Sequence, residues 1–162
     1  MTDGLSKLQK VIVNNATGLV IDDDKSVCDL VSRLMIAMDF KQVWTASNGA
    51  EGLKIAAECK PTVIVCDVDM SPVDGVMFVA GIRFLLDAGL STTPVIIFSA
   101  HPNKDIVQTL KKLGVKTFIT KPFLVTLFSH RINEAIEMSL GKNGMELNAL
   151  RWHFGDDAYS DS

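Results

Sequence analysis

Four short apolar runs in this chain each end on a polar, chemically capable side chain. Gly18 to Ile21 precedes Asp22 and Asp23, Val63 to Cys66 precedes Asp67, Val95 to Phe98 precedes Ser99, and Phe118 to Thr120 precedes Lys121. Apolar runs this short, separated by segments of helical periodicity, read as buried parallel strands. Parallel strands need crossover connections, so their carboxyl ends share one edge of the sheet, and that edge is where open α/β sheets bind ligands. Five polar groups are therefore expected to meet in one crevice.

The intervening segments supply the crossovers. Val27, Leu30, Val31, Leu34 and Met38 recur at helical spacing and predict an inward face, with one aspartate of the Asp23–Asp24 pair as the helix cap. A short second strand is expected at Val43 to Ala46. Asn48 is placed to cap a second helix, Ala50 to Cys59, whose Gly49, Gly52, Ala56 and Ala57 permit close packing, and Pro61 ends it. A third helix is predicted from about Val76 to Asp87 with Phe78, Ile82 and Leu85 inward. A fourth opens at His101 to Asn103, carries Ile106, Val107, Leu110 and Leu113, and stops at Gly114; a fifth starts at Pro122 and runs to about Leu140. Five βα units with right-handed crossovers give a doubly wound five-stranded parallel sheet in the order 2-1-3-4-5, a flavodoxin-like three-layer α/β sandwich.

At 162 residues, 48% of them hydrophobic, the chain can bury one core. The expected organisation is an N-terminal extension over 1–16, one domain over 17–140 and a tail over 141–162. No run is long enough to span a bilayer and the first residues lack a secretory pattern, so the expected location is the cytoplasm. Cys28, Cys59 and Cys66 are odd in number and scattered, which fits reduced thiols. A net charge of −3 without a Lys/Arg run gives no footprint for nucleic acid.

Asp22, Asp23 and Asp67 are three carboxylates brought to one place, and like charges that close do not all stay ionised without a cation. An all-oxygen donor set with neither His nor Cys favours Mg²⁺, with Mn²⁺ as the alternative. Between such a metal and the ammonium of Lys121, Asp67 at the tip of a central strand is suited to attack phosphorus. Ser99 can donate its hydroxyl to a phosphoryl oxygen. Taken singly, Lys121 reads as a surface lysine and Ser99 as a strand-end hydrogen-bonder; the signal is in the set.

These residues resemble the receiver domain of two-component response regulators over about Thr17 to Leu140. The matching motifs are the acidic pair in LVIDDD, the aspartate opening DVDMSPVDG at Asp67 to Gly75, Ser99-Ala100, and Lys121-Pro122-Phe123. The resemblance implies that Asp67 is the phospho-acceptor and that Asp22, Asp23, Asp67 and the backbone carbonyl of Asp69 hold Mg²⁺. It implies that Lys121 contacts the phosphoryl group, that Ser99 and the aromatic Phe118 are the switch pair, and that Lys121-Pro122 is cis. Asp69 and His101, each two residues beyond a site residue, fall where receivers tune phosphoryl lifetime; an ion pair between them and two plain exposed loop residues are the other readings. The loop departs from the family's Met-Pro, since Met70 is followed by Ser71 and then Pro72, and Phe118 lacks the hydroxyl of the tyrosine often found there.

The implied function is that of a stand-alone response regulator. It accepts a phosphoryl group from a histidine kinase or histidine phosphotransfer protein, catalyses only its own modification, and signals by docking a protein through the face of the fourth helix, fifth strand and fifth helix. A phosphatase of the haloacid-dehalogenase type is the alternative suggested by Asp67-Val68-Asp69, but its extra acidic pair comes late in the chain, whereas Asp22 and Asp23 come first. A receiver-like scaffold that never carries a phosphoryl group is the third reading; no acceptor, metal or lysine residue is missing to support it. Met145, Leu147, Leu150, Trp152 and Phe154 make the tail too apolar to be simply solvated before its acidic finish. It is expected to pack back on its own domain, with partner or homodimer contact as the alternative.

Overall fold

The computed structural model describes residues 15–84 and 88–142. Its elements are β1 (Thr17–Ile21), α1 (Lys25–Ala37), β2 (Gln42–Ala46), α2 (Gly49–Cys59), β3 (Val63–Asp67), α3 (Gly75–Phe84), a single helical turn at Ala88–Ser91, β4 (Val95–Ser99), α4 (Lys104–Lys112), β5 (Thr117–Thr120) and α5 (Val125–Lys142). Every strand pair is parallel and the order is β2-β1-β3-β4-β5, as the sequence predicts.

Strand alternation divides the core in two. Val20, Val65, Ile96, Phe98 and Ile119 face one layer, where Val31 and Met35 of α1 meet Phe128 and Ile132 of α5. Leu19, Ile21, Ile64, Cys66 and Ile97 face the other, against Ala56 of α2, Phe78 and Ile82 of α3, and Leu110 of α4. Burial on both faces is why β3 reads as an unbroken apolar run: all five of its residues are buried.

The helix ends follow from short-range chemistry. Asp24 caps α1 by accepting from the Ser26 amide at 2.9 Å. Asn48 accepts from the Glu51 amide at 3.0 Å while the Glu51 carboxylate accepts from the Ser47 amide at 2.8 Å, a reciprocal cap on α2. Asn103 does the same work for α4, and Gly114, with φ of 84°, ends it.

Some expectations need correction and others fall outside the described residues. Leu30 is 50% exposed. Cys28, Val31 and Met35 form the buried stripe of α1 instead, and Leu30 lies to one side of that i, i+3, i+7 row. Ala57 is exposed, leaving Gly49, Gly52 and Ala56 as the packed small residues of α2. Helix α5 begins at Val125 rather than at Pro122, because Phe123 turns back to the core, its ring 4.9 Å from Phe98 and 5.6 Å from Phe128. It also continues to Lys142, past the expected boundary at 140. Helix α3 is described to Phe84, so Leu85 lies outside the described residues, as do almost all of the extension over 1–16 and the tail over 141–162. Among the described residues no helix is long and apolar enough to cross a membrane.

Candidate functional site

Strand register places the reactive residues before any side chain is considered. Ile21 pairs with Cys66 and Asp67 pairs with Phe98, so Asp22 and Asp67 leave the sheet side by side. Their carboxylate oxygens and one from Asp23 all lie within 4.8 Å of one another. Asp22 and Asp67 are only 3% and 6% exposed, whereas Asp23 is open to solvent. Ser99 pairs with Thr120, which brings Lys121 over the same edge, and the Lys121 amide donates to the Ser99 carbonyl at 2.8 Å.

The ammonium of Lys121 ties the cluster together. It donates to Oδ2 of Asp22 at 2.6 Å and stands 3.6 Å from Oδ1 of Asp67. The other Asp22 oxygen accepts from the Asp24 amide at 2.9 Å. Burial pushes the Asp67 carboxyl above its ordinary pKa and the neighbouring Asp22 charge pushes further, while Lys121 and the backbone amides of Asp69 and Val68 oppose them. Burial depresses Lys121, but its hydrogen bond to Asp22 and the Asp67 charge outweigh that and hold it above the usual lysine value. One ammonium thus serves two buried carboxylates with a third nearby. The donor set is all oxygen and carries an excess of negative charge, which fits a hard divalent cation of the Mg²⁺ or Mn²⁺ type.

The thiols stand apart from this chemistry. All three cysteines are unbridged. Burial and the Asp22 charge push Cys28 up to about 11, and burial followed by the Asp67 charge raises Cys66 strongly, so both are protonated, inert core groups.

Ser99 is on the other side of the sheet edge from the carboxylates. With Phe118, His101, Val107 and Leu110 it lines a cavity of about 40 Å³ beneath α4. Phe118 is half-buried against the α3/α4 side of the core. Among the described residues no hydrogen bond joins the Ser99 hydroxyl to Asp67, so the edge holds two groups: an acid–ammonium cluster and a hydroxyl–aromatic pair. Asp69 and His101 are both exposed on separate loops and no ion pair between them occurs among the described residues. Two solvated groups gain little from pairing, which accounts for its absence. Both Lys121-Pro122 and Ser71-Pro72 are cis; the first was expected and the second was not.

Gly75 is the site residue whose role sequence reasoning missed. A Cβ there would collide with the Asp67 carbonyl oxygen and come within 2.9 Å of the Val68 Cα, and the Gly75 amide donates to the Val68 carbonyl at 3.0 Å. The signal available was a glycine directly after Asp74, which itself caps α3 by accepting from the Met77 amide at 2.8 Å. Because the obstacle is backbone, Gly75→Ala is expected to destabilise the fold by about 1–3 kcal/mol. A thermal melt checks this, and a melting temperature equal to wild type would show that the loop after Asp67 yields freely.

Residues 19–133 match the response regulator receiver domain family. The chain is 33% identical over 129 residues to the transcriptional regulatory protein KdpE of Mycobacterium tuberculosis, a match covering 79% of this chain and 54% of that protein. The chain thus spans about half the length of that curated relative. It is 28% identical over 123 residues to the probable chemotaxis protein CheY of Rhizobium etli, covering 76% of this chain and 91% of that one. The solved structure of chemotaxis protein CheY4 from Vibrio cholerae superposes with a TM-score of 0.69 at 26% identity, over 75% of this chain and 98% of the other. The phosphatase alternative finds no support in these comparisons.

Proposed function

Because this chain belongs to the response regulator receiver family, we propose that its domain over 17–140 is a switch in which Asp67 accepts a phosphoryl group from a histidine kinase or histidine phosphotransfer protein. The observation that carries this reading is the Lys121 ammonium, 2.6 Å from Asp22 and 3.6 Å from Asp67. A cation so placed keeps Asp67 available as an anion and lies where charge accumulates on a transferring phosphoryl group. An Asp67 oxygen bonds to phosphorus as the bond from phosphorus to the donor's nitrogen breaks, and that nitrogen leaves with the electron pair. Asp22, Asp23 and Asp67, with the backbone carbonyl of Asp69, are the residues that would hold Mg²⁺, which when bound neutralises charge on the phosphoryl oxygens.

The burial of Asp22 and Asp67 excludes water from one flank of the acceptor, and Asp69 and His101, both exposed, are the residues proposed to govern access of water from the open side. Their substitution by Ala is expected to change the lifetime of the phosphoryl group severalfold, read as decay of the adduct after donor removal; an unchanged lifetime for both would remove them from the site. In switching, Ser99 turns toward the phosphoryl oxygens and Phe118 moves into the space beneath α4, altering the face of α4, β5 and α5. The small cavity between the two residues supports this step. Output is then by docking a downstream protein at that face, in the cytoplasm.

The test is incubation with Mg²⁺ and acetyl phosphate, then intact-mass measurement. One phosphoryl group per chain, absent in excess EDTA, is the expected result. Multiple turnover of a phosphomonoester without a stable adduct would reinstate the phosphatase, and no adduct at all would leave the scaffold.

A further inference from the structure

At the end of the sheet opposite Asp67 lies a cleft of about 210 Å³. Arg83 from the end of α3, Pro94 and Val95 from the start of β4, Lys116 before β5, and Ala135 and Met138 of α5 enclose it. Among the described residues its formally charged lining groups are the cations Arg83 and Lys116. Arg83 is fixed rather than free: Nε donates to the Leu113 carbonyl at 2.9 Å, and Nη1 donates to those of Ser91 at 3.2 Å and Thr93 at 2.8 Å. These are neutral acceptors, and among the described residues no carboxylate pairs with its guanidinium. A half-buried cation whose described partners are all carbonyls retains a strong attraction for an anion.

The path of the chain says which anion is at hand. Helix α5 passes the cleft at Ala135 and Met138 and runs to Lys142. Four residues of helix advance about 6 Å, so α5 ends about one turn past the cleft. Past Lys142 the sequence carries apolar Leu147, Leu150, Trp152 and Phe154, interrupted by Arg151 and His153, and then acidic Asp156 and Asp157. The cleft presents the complement, apolar walls with two cations at the rim. Its volume exceeds the roughly 150 Å³ that suffices for a benzene ring in a protein cavity, so one aromatic side chain fits. We propose that this cleft is the docking site for the chain's own segment 143–162, with Trp152 seated in the cleft and Asp156 and Asp157 on the side of Arg83 and Lys116.

Trp152 reports on this directly once Trp44, the only other tryptophan, is replaced by Phe in the full chain. The expected result is a blue-shifted Trp152 emission that is severalfold less accessible to acrylamide than in the free peptide 143–162, at every protein concentration. Lys116→Glu combined with Met138→Glu makes the cleft acidic at two exposed positions and is expected to abolish both the shift and the protection. Asp156→Lys with Asp157→Lys is expected to do the same from the other partner, without altering the folded domain. Three results would overturn the proposal. They are a fully accessible Trp152, protection that survives either charge reversal and so places the segment elsewhere, or protection that grows with protein concentration and so assigns the cleft to a second copy.

Discussion

Replacing Asp67 by Asn is expected to abolish phosphoryl incorporation completely and, in the same protein, to raise the melting temperature of the metal-free form by a few degrees. The first effect arises because the amide offers no nucleophilic oxygen anion where the sheet places Asp67, side by side with Asp22 and under Lys121. The second arises from the raised pKa of Asp67, caused first by burial and then by the Asp22 charge. A carboxyl whose folded pKa lies above its unfolded value binds its proton more tightly in the folded state. Ionising it therefore costs stability, and the cost grows as pH rises from the ordinary aspartate value of 3.8 through the raised one. Above the raised value the full cost is present, and a neutral side chain of the same shape removes it. For a chain of this size a few degrees correspond to about 1 kcal/mol. Intact mass after acetyl phosphate treatment checks the chemistry. Melts at acid and neutral pH check the linkage, where the stabilising effect of Asn must vanish below the unfolded pKa. A phosphoryl adduct on the Asn variant would move the acceptor elsewhere.

Lys121→Met is expected to have the largest effect on stability, and of the opposite sign. The substitution leaves Asp22 and Asp67 buried without their shared counter-charge, and stranding one partner of such a pair costs about 3–5 kcal/mol. In the wild type that contribution is fully present below the ordinary lysine pKa of 10.5 and is lost as pH rises through the higher folded value. The ammonium also competes with any divalent cation for the same oxygens. Mg²⁺ should therefore bind the Met variant more tightly and restore more melting temperature than it adds to wild type. Phosphoryl transfer should nevertheless be slower, by about 10²-fold, the usual cost of removing one stabiliser of developing charge. Calorimetric titration with Mg²⁺ and the rate of adduct formation separate the two effects. Unaltered Mg²⁺ affinity would mean that Lys121 does not share its oxygens with the metal.

The fold was legible because burial on both faces leaves a plain mark in sequence. Val63 to Cys66 and Val95 to Phe98 admit little besides strands, and Asn48, Asn103 and Gly114 mark helix ends through local hydrogen bonds or backbone conformation. The gathering of Asp22, Asp23, Asp67 and Lys121 was legible for the same reason, since strand ends in a parallel sheet share an edge. What escaped depended on tertiary geometry. Leu30 obeys helical spacing as well as Val31 does, and only the placement of α1 on the sheet decides which is covered. The start of α5 depended on where the Phe123 ring could pack. The crowding of Gly75 against the Asp67 carbonyl depends on how the loop folds back on the strand end, which the glycine after Asp74 only hints at. That Ser99 opens onto the α4 side was equally hidden, because a one-residue step along a strand reverses the face a side chain takes.

That reversal has a bearing on how such a chain tolerates mutation. Asp67 leaves the sheet beside the layer of α1 and α5, with Val65, Phe98 and Phe128, while the surroundings of Ser99 and Phe118 rest on the layer of α3 and α4, through Ile97 and Leu110. The sheet between them is one residue thick, yet each layer is a separate packing problem. Under the proposed function, substitutions that fill or loosen the first would retune the rate and lifetime of phosphorylation at Asp67, and those in the second would retune how a partner reads it. Drift can therefore proceed on one side while the other is held by selection, so the same chemistry can be kept as its audience changes.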